Sequence, residues 1–219
     1  MNMNRPKKQQ LFEKQPVSIE SIIQQRRAEG LLPHDGRIHI KIANAREKLM
    51  YAMVDCLGER TKWLPQYDEV ADWLSDNHGL GLMLMGSPGM GKTVVIHRVL
   101  PPLIERWARK VVKCYEALDL NDTDIDNRGK EVSRYKHIVQ SRLIAIDDIG
   151  TEPVAQEYGE YHDYFSELVD KCERGNKLLL CSTNLSVDEM KERYGLRTID
   201  RLAALTRIIY FTGESFRRM

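Results

Sequence analysis

Cysteine is sparse in this chain of 219 residues, and its four copies are scattered. Cys56, Cys114, Cys172 and Cys181 form no C-x-x-C pair, so the sequence points away from both a disulfide framework and a structural zinc site, and towards packed, reduced thiols in a cytoplasm. The six histidines are equally dispersed, and no two have the spacing of metal ligands. No run approaches the ~18 consecutive apolar residues that a membrane-spanning helix requires. The opening MNMNRPKKQQ has no apolar stretch behind its basic residues, so no secretory signal is expected. Strong charge of one sign is also missing. The formal net charge is +1, and the field of the whole molecule selects no partner.

What is present is the composition of a soluble globular protein, with 42 % hydrophobic and 30 % charged residues. The length suits one α/β core of ordinary size with an N-terminal appendage. Residues 1–16 are polar. Residues 1–30 hold Arg5, Lys7, Lys8, Lys14, Arg26 and Arg27 against Glu13, Glu20 and Glu29. Such a basic arm can neutralise nucleic-acid phosphates, or it can simply be a solvated terminus. Ser18 is placed to cap a helix through Ala28, ended by Gly30, with Pro33 and Gly36 in a turn beyond. Apolar residues at helical spacing mark residues 42–58 (Ile42, Leu49, Met50, Met53, Val54, Leu57) and Gln66 to Asn77 (Val70, Trp73, Leu74). The break near Gly58–Lys62 divides the chain into an extension, 1–60, and a core, 61–219.

From Leu80 the pattern alternates between strand and helix. Apolar runs at Leu80–Met85, Val111–Tyr115, Leu143–Ile146, Leu178–Ser182 and Ile208–Phe211 are mostly separated by longer helical segments, as in a parallel sheet covered on both faces. The expectation is a three-layer α/β sandwich.

The chemistry begins between the first of these strands and its helix. Gly86-Ser87-Pro88-Gly89-Met90-Gly91-Lys92-Thr93 is a complete G-x-x-x-x-G-K-[ST] phosphate loop. Its glycines let successive N–H groups turn inward around phosphates. Lys92 can face the β- and γ-phosphates, and Thr93 can ligate Mg²⁺. The helix that follows adds its positive dipole end, and Pro101-Pro102 should kink it or end it early. A second strand, Leu143-Ile144-Ala145-Ile146, runs into Asp147-Asp148. Asp147 is placed to hold Mg²⁺ through water and Asp148 to polarise an attacking water. A third strand ends in Thr183-Asn184. There Asn184 could hydrogen-bond the γ-phosphate and the water, or merely sit in a turn before a helix opened by a Ser186/Glu189 capping box. Arg197 and Arg201 lie four apart, on one face if helical. They are candidates either for ion pairs with Asp200 or Glu192 or for an arginine finger that acts on a neighbouring subunit.

Taken in order, these motifs resemble the AAA+ ATPases, and among them the DnaC-like helicase loaders and IstB-like transposition helper ATPases. The resemblance covers about residues 63–219. It is carried by GSPGMGKT, LIAIDDIG, LLLCSTNLS, YGLRTIDRL and the closing IIYFTGESFRR. It implies a three-layer P-loop NTPase core of AAA+ type without a C-terminal lid domain, plus a mainly helical extension. It also implies ATP and Mg²⁺ as ligands, with Lys92, Asp148, Asn184 and Arg201 as catalytic residues and Arg201 preferred to Arg197 as the finger. The implied partners are a replicative helicase or a transposase, single-stranded DNA, and further copies of the chain in a nucleotide-dependent oligomer. The extension carries no cysteine cluster, so any contact made there is expected to be independent of zinc.

Overall fold

Each of the five apolar runs becomes a strand, and all five join one parallel sheet. The computed structural model describes residues 18–29, 36–126, 128–157 and 160–213. The chain divides into two compact units, Met1–Asp35 and Gly36–Met219. Of the first unit, helix α1 (Ile19–Ala28) is described. It is capped as the sequence suggests, with Ser21 N–H donating to Ser18 Oγ at 3.1 Å. The Gly30 and Pro33 expectations fall outside the described residues.

The second unit opens with α2 (Ala45–Leu57), a short 3₁₀ turn and α3 (Pro65–Ser75). Strand β1 (Gly81–Met85) follows, then a helix whose first part, Val94–Val99, is π-wound before it continues as α4 (Leu100–Ala108). Next come β2 (Lys113–Glu116), a small hairpin of β3 (Thr123–Ile125) and β4 (Glu131–Ser133), and α5 (Arg134–Ile138). After these lie β5 (Leu143–Ile149), a second hairpin of β6 (Ala155–Glu157) and β7 (Glu160–His162), and α6 (Tyr164–Arg174). The described part closes with β8 (Leu178–Thr183), α7 (Val187–Leu205) and β9 (Thr206–Tyr210). The main sheet has the order β2-β5-β8-β1-β9, and every pairing is parallel. Among the described residues no helix is long and apolar enough to cross a membrane.

Strand periodicity sorts the core into two layers. Leu82, Leu84, Leu143, Ala145, Leu178 and Leu180 pack on one face with α2, α3, the π segment and α4. Their neighbours Met83, Met85, Ile144, Ile146, Leu179 and Cys181 pack on the other face with α5, α6 and α7. Successive side chains of a strand point to opposite faces, so a strand buried on both sides reads as a continuous apolar run.

The helix after β1 neither stops nor breaks at its two prolines. The π winding lets it pass them: Leu100 N–H donates to Val95 O, an i→i−5 bond. The wider turn takes the proline rings past carbonyls with which an α-helical register would clash. The capping box at Ser186 and Glu189 forms in both directions. Gly195, at φ 80°, kinks α7 in its middle. The two small hairpins are additions to the sequence expectation.

The main unit begins at Gly36, upstream of the division expected near residue 60. Ile40, Ile42, Leu49 and Met53 are at most 2 % exposed and belong to the core layer that holds α3 and β1. Burying such side chains contributes about 1.5–3 kcal/mol apiece, and together they rival the ~5–15 kcal/mol stability of a whole domain. A chain starting at residue 36 is therefore expected to unfold cooperatively in urea, followed by circular dichroism. A chain starting at residue 61 should show no cooperative transition.

Candidate functional site

The loop after β1 curls because its glycines take backbone angles that other residues avoid. Gly89 and Gly91 have φ of 83° and 85°, and Gly86 has φ 143°. A β-carbon on Gly86 would lie 2.1 Å from Phe211 O, beside the Phe211 N–H to Met85 O bond (2.7 Å) that holds the end of β9. The curl turns two of its carbonyls towards Lys92. Lys92 is only 5 % exposed, and its ammonium donates to Gly86 O at 2.6 Å, Ser87 O at 3.0 Å and Asn184 Oδ1 at 2.7 Å. Met90 is buried in the core layer beneath the loop, whereas Thr93, at the start of the helix, is exposed.

The two acids are brought together by a bulge. β5 runs three residues beyond the expected end at Ile146, and its register with β8 shifts between Ile146 and Ile149. The shift sets Asp147 and Asp148 opposite the single residue Ser182, with Asp148 at φ 56°. In an unbulged strand consecutive carboxylates would point to opposite faces; here one meets Ser182 on β8 and the other Asn184 just beyond it. Ser182 Oγ donates to Asp147 Oδ1 and accepts from Asp148 N–H at 3.2 Å. Asn184 Nδ2 donates to Asp148 Oδ1 at 2.7 Å. Lys92, Asn184 and Asp148 thus form one hydrogen-bonded chain across the C-terminal ends of β1, β8 and β5. Gly150 completes the turn: at φ 105° a β-carbon there would be 2.5 Å from Leu185 Cδ1.

Above the loop lies a cleft of about 580 Å³. Pro88, Gly89, Gly91, Lys92, Thr93, Asp148 and Asn184 line it. Asp147, 4 % exposed, sits behind Asp148 and is not among the lining residues. The opposite wall was not read from the sequence: Leu57, Arg60, Lys62, Tyr67 and Arg98. Of these, Leu57 was read only as an apolar position of its helix, and Tyr67 lies one helical turn before Val70 on the buried face of α3. Its ring packs edge-on against Phe211 at 5.9 Å, and burial pushes its phenol up to about 12.

Arg201 does not line this cleft. It pairs with Asp170 and, at 3.0 Å, with Glu173, both on α6. These are not the acids Asp200 and Glu192 suggested by sequence proximity. Arg197 shares the same face, 3.9 Å from Asp170, and its side chain is 74 % exposed. A buried carboxylate absent from the sequence reading, Glu152, accepts from Gly150 N–H at 2.8 Å and from the Tyr194 hydroxyl. It fastens the loop after β5 to α7.

The fold recurs in known proteins. The chain is similar to the DnaC helicase loader (16 % identity, TM-score 0.53), covering 76 % of this chain and 99 % of that one. It is similar to DnaI (16 %, 0.53) over 80 % and 95 % of the two chains. AMPPCP-bound DnaA from Aquifex aeolicus aligns at 12 % identity and TM-score 0.50, over 73 % of this chain and 51 % of that one. The fold is that of an AAA+ P-loop NTPase. In sequence, the "Insertion sequence IS232 putative ATP-binding protein" of Bacillus thuringiensis subsp. berliner is 28 % identical over 142 residues, covering 62 % of this chain. The chain spans 55 % of the length of that relative. No family model matches the chain. These likenesses agree with the resemblance to DnaC-like and IstB-like proteins that the motifs carry.

The close approach at Gly86 gives a direct test of the loop's construction. Gly86→Ala is expected to lower stability by about 1–3 kcal/mol, the cost of a strained backbone position, read from the urea midpoint. An unchanged midpoint would mean that the loop does not press against Phe211.

Proposed function

We propose that this protein binds ATP with Mg²⁺ in the cleft and hydrolyses it, and that the cycle loads or remodels a replicative helicase on single-stranded DNA. The Lys92–Asn184–Asp148 chain carries the reading, because it joins a phosphate-facing cation to a water-facing carboxylate through one amide. A lysine ammonium has three donors, and all three are engaged by Gly86 O, Ser87 O and Asn184 Oδ1. An arriving triphosphate therefore draws Lys92 off some of these oxygens, which releases Asn184 towards the γ-phosphate. Asp148, anchored by its own N–H to Ser182, orients the attacking water and accepts its proton.

The donor set suits Mg²⁺. Thr93 offers a hydroxyl in the cleft, while Asp147, buried outside the cleft lining and steadied by Ser182, would hold the ion through water, and Mg²⁺ keeps several waters beside one or two protein oxygens and the phosphates. Bound there, the ion would neutralise charge on the β- and γ-phosphates. Lys92→Ala is expected to abolish tight binding of a fluorescent ATP analogue. Asp148→Asn should keep that affinity and lose most turnover, and turnover surviving within about twofold would make Asp148 structural.

In this reading Arg201 acts as a finger on the γ-phosphate of a neighbouring copy, after release from Asp170 and Glu173. An arginine finger contributes ~10³–10⁵ in rate, which must offset the loss of the part-buried pairs with Asp170 and Glu173, where the Arg201 side chain is 22 % exposed. Arg201→Ala and Asp148→Asn subunits should each be inactive alone and recover partial turnover when mixed. Full activity of Arg201→Ala alone would leave the ion pair as its role and Arg197 as the residue to test.

The partner contact is assigned to the N-terminal extension, with its basic residues. The likeness to the insertion-sequence protein favours a second reading, in which the partner is a transposase. Gel filtration with ATP separates the two. Co-elution with the host's purified replicative helicase, lost on removing residues 1–35, supports the first; co-elution with a transposase alone supports the second.

A further inference from the structure

Glu152 is buried a few residues beyond Asp148 and does not line the nucleotide cleft. One oxygen of its carboxylate accepts from Gly150 N–H at 2.8 Å, and the other accepts from the Tyr194 hydroxyl. The Arg193 guanidinium stands 3.8 Å from that second oxygen and also donates to the Glu152 carbonyl. Tyr194 is itself a rigid anchor. It is buried, and its ring centroid lies 4.9 Å from that of the fully buried Phe165. Burial first, and then the hydrogen bond to Glu152, push its phenol above the ordinary range, so it stays a donor.

The turn that Glu152 braces is the one that carries Asp148. Asp148 at φ 56° and Gly150 at φ 105° bend it. Thr151 closes it, donating to Asp148 O from its N–H at 3.2 Å and from its hydroxyl at 2.8 Å. A non-glycine residue persists in the left-handed region only where its surroundings over-determine it. A buried carboxylate is a costly brace, tolerated where its oxygens are filled. An apolar side chain would occupy the same space and leave Gly150 N–H without this acceptor.

We propose that Glu152 is a positioning residue for hydrolysis, a role that rests on the reading of Asp148 as the water-facing acid. Through Gly150 N–H it fixes the turn that presents the Asp148 carboxylate, and Tyr194 fixes Glu152 in its place. Asp148 is then held from two sides. Asn184 Nδ2 holds one carboxylate oxygen at 2.7 Å and Ser182 Oγ accepts from the backbone N–H at 3.2 Å, while the braced turn holds the chain that follows. Tyr194 is the last residue before the Gly195 kink, so the brace also ties this turn to the first half of α7. Lying outside the cleft lining, Glu152 acts on the reaction only through Asp148. A misplacement of about 1 Å at a reacting group costs up to about 10²-fold in rate.

The test measures ATP turnover and ATP-analogue affinity of full-chain variants, together with their crystal structures. Glu152→Ala should lower kcat about 10- to 100-fold. Its analogue affinity should stay within about twofold, because Lys92 and the glycine loop keep all their contacts. Glu152→Gln offers an acceptor to Gly150 N–H and a donor to the Tyr194 oxygen, and should recover most of kcat. In an Asp148→Asn background, Glu152→Ala should cost no more than about a further twofold, since both changes act through one carboxylate. Should Glu152→Ala fail to fold, Tyr194→Phe removes only the hydroxyl and should lower kcat about 3- to 10-fold at unchanged affinity. The crystal structure of Glu152→Ala, or of Tyr194→Phe in its place, should show Asp148 Oδ1 displaced from Asn184 Nδ2, a readout that needs no turnover. Wild type without turnover would overturn the hydrolysis reading, and this displacement would still decide whether Glu152 sets Asp148. An undisplaced Asp148, an unchanged kcat, affinity falling in step with kcat, a Glu152→Gln as slow as Glu152→Ala, or a full additional loss in the Asp148→Asn background would each overturn the positioning role.

Discussion

The ammonium of Lys92 is withdrawn from water behind a loop it also organises. A buried charge is tolerated where its hydrogen-bonding capacity is filled, and here three oxygens within 3.0 Å do so. Two are carbonyls of the loop, so the curl permitted by Gly86, Gly89 and Gly91 is closed by the residue it surrounds. The third belongs to Asn184, just beyond β8, which ties the loop to the middle of the sheet. Lysine can only donate and an ionised carboxylate can only accept. The amide of Asn184 therefore has one consistent orientation, with Oδ1 towards Lys92 and Nδ2 towards Asp148. The rest of the site follows from that fixed amide.

The sheet supplies the other half of the constraint. Period-two alternation serves the core well, sending Ile144 and Ile146 to one layer and Leu143 and Ala145 to the other, but it would separate two adjacent carboxylates. The β5 bulge suspends the alternation for one residue, and Asp148 takes φ 56° to do it. A non-glycine residue there costs of order 1–3 kcal/mol, offset by the Ser182 hydroxyl that contacts both acids. Strain is placed where the glycine-rich loop and the acids meet.

Much of this was legible in the sequence where local rules govern. The five apolar runs became the five sheet strands, and GSPGMGKT formed the loop between β1 and its helix. Ser186 and Glu189 formed their reciprocal cap. The remainder depends on contacts between distant segments or on weak local signals. β3 and β4 are three residues each, Thr-Asp-Ile and Glu-Val-Ser, too short and polar to show a period. Pro101 and Pro102 signalled a disturbance, but not that the helix would widen ahead of them and continue. Ile40 and Ile42 lie outside any helix or strand and are buried by tertiary packing alone, which is why the main unit starts earlier than the break at Gly58 suggested. The acids facing Arg201 come from α6, about thirty residues upstream, and the cleft wall at Leu57, Arg60 and Lys62 carries no motif.

The central claim is that the Lys92 cluster is a phosphate site held shut by its own loop. A crystal structure of the full chain with a non-hydrolysable ATP analogue and Mg²⁺ tests it most directly. The account predicts a triphosphate inside the curl of residues 86–93. Lys92 Nζ should have moved from Asn184 Oδ1, with or without a loop carbonyl, to a phosphate oxygen, and Asn184 Nδ2 should still donate to Asp148. A nucleotide bound elsewhere, or one bound in the cleft while Lys92 keeps all three of its present oxygens, would contradict it.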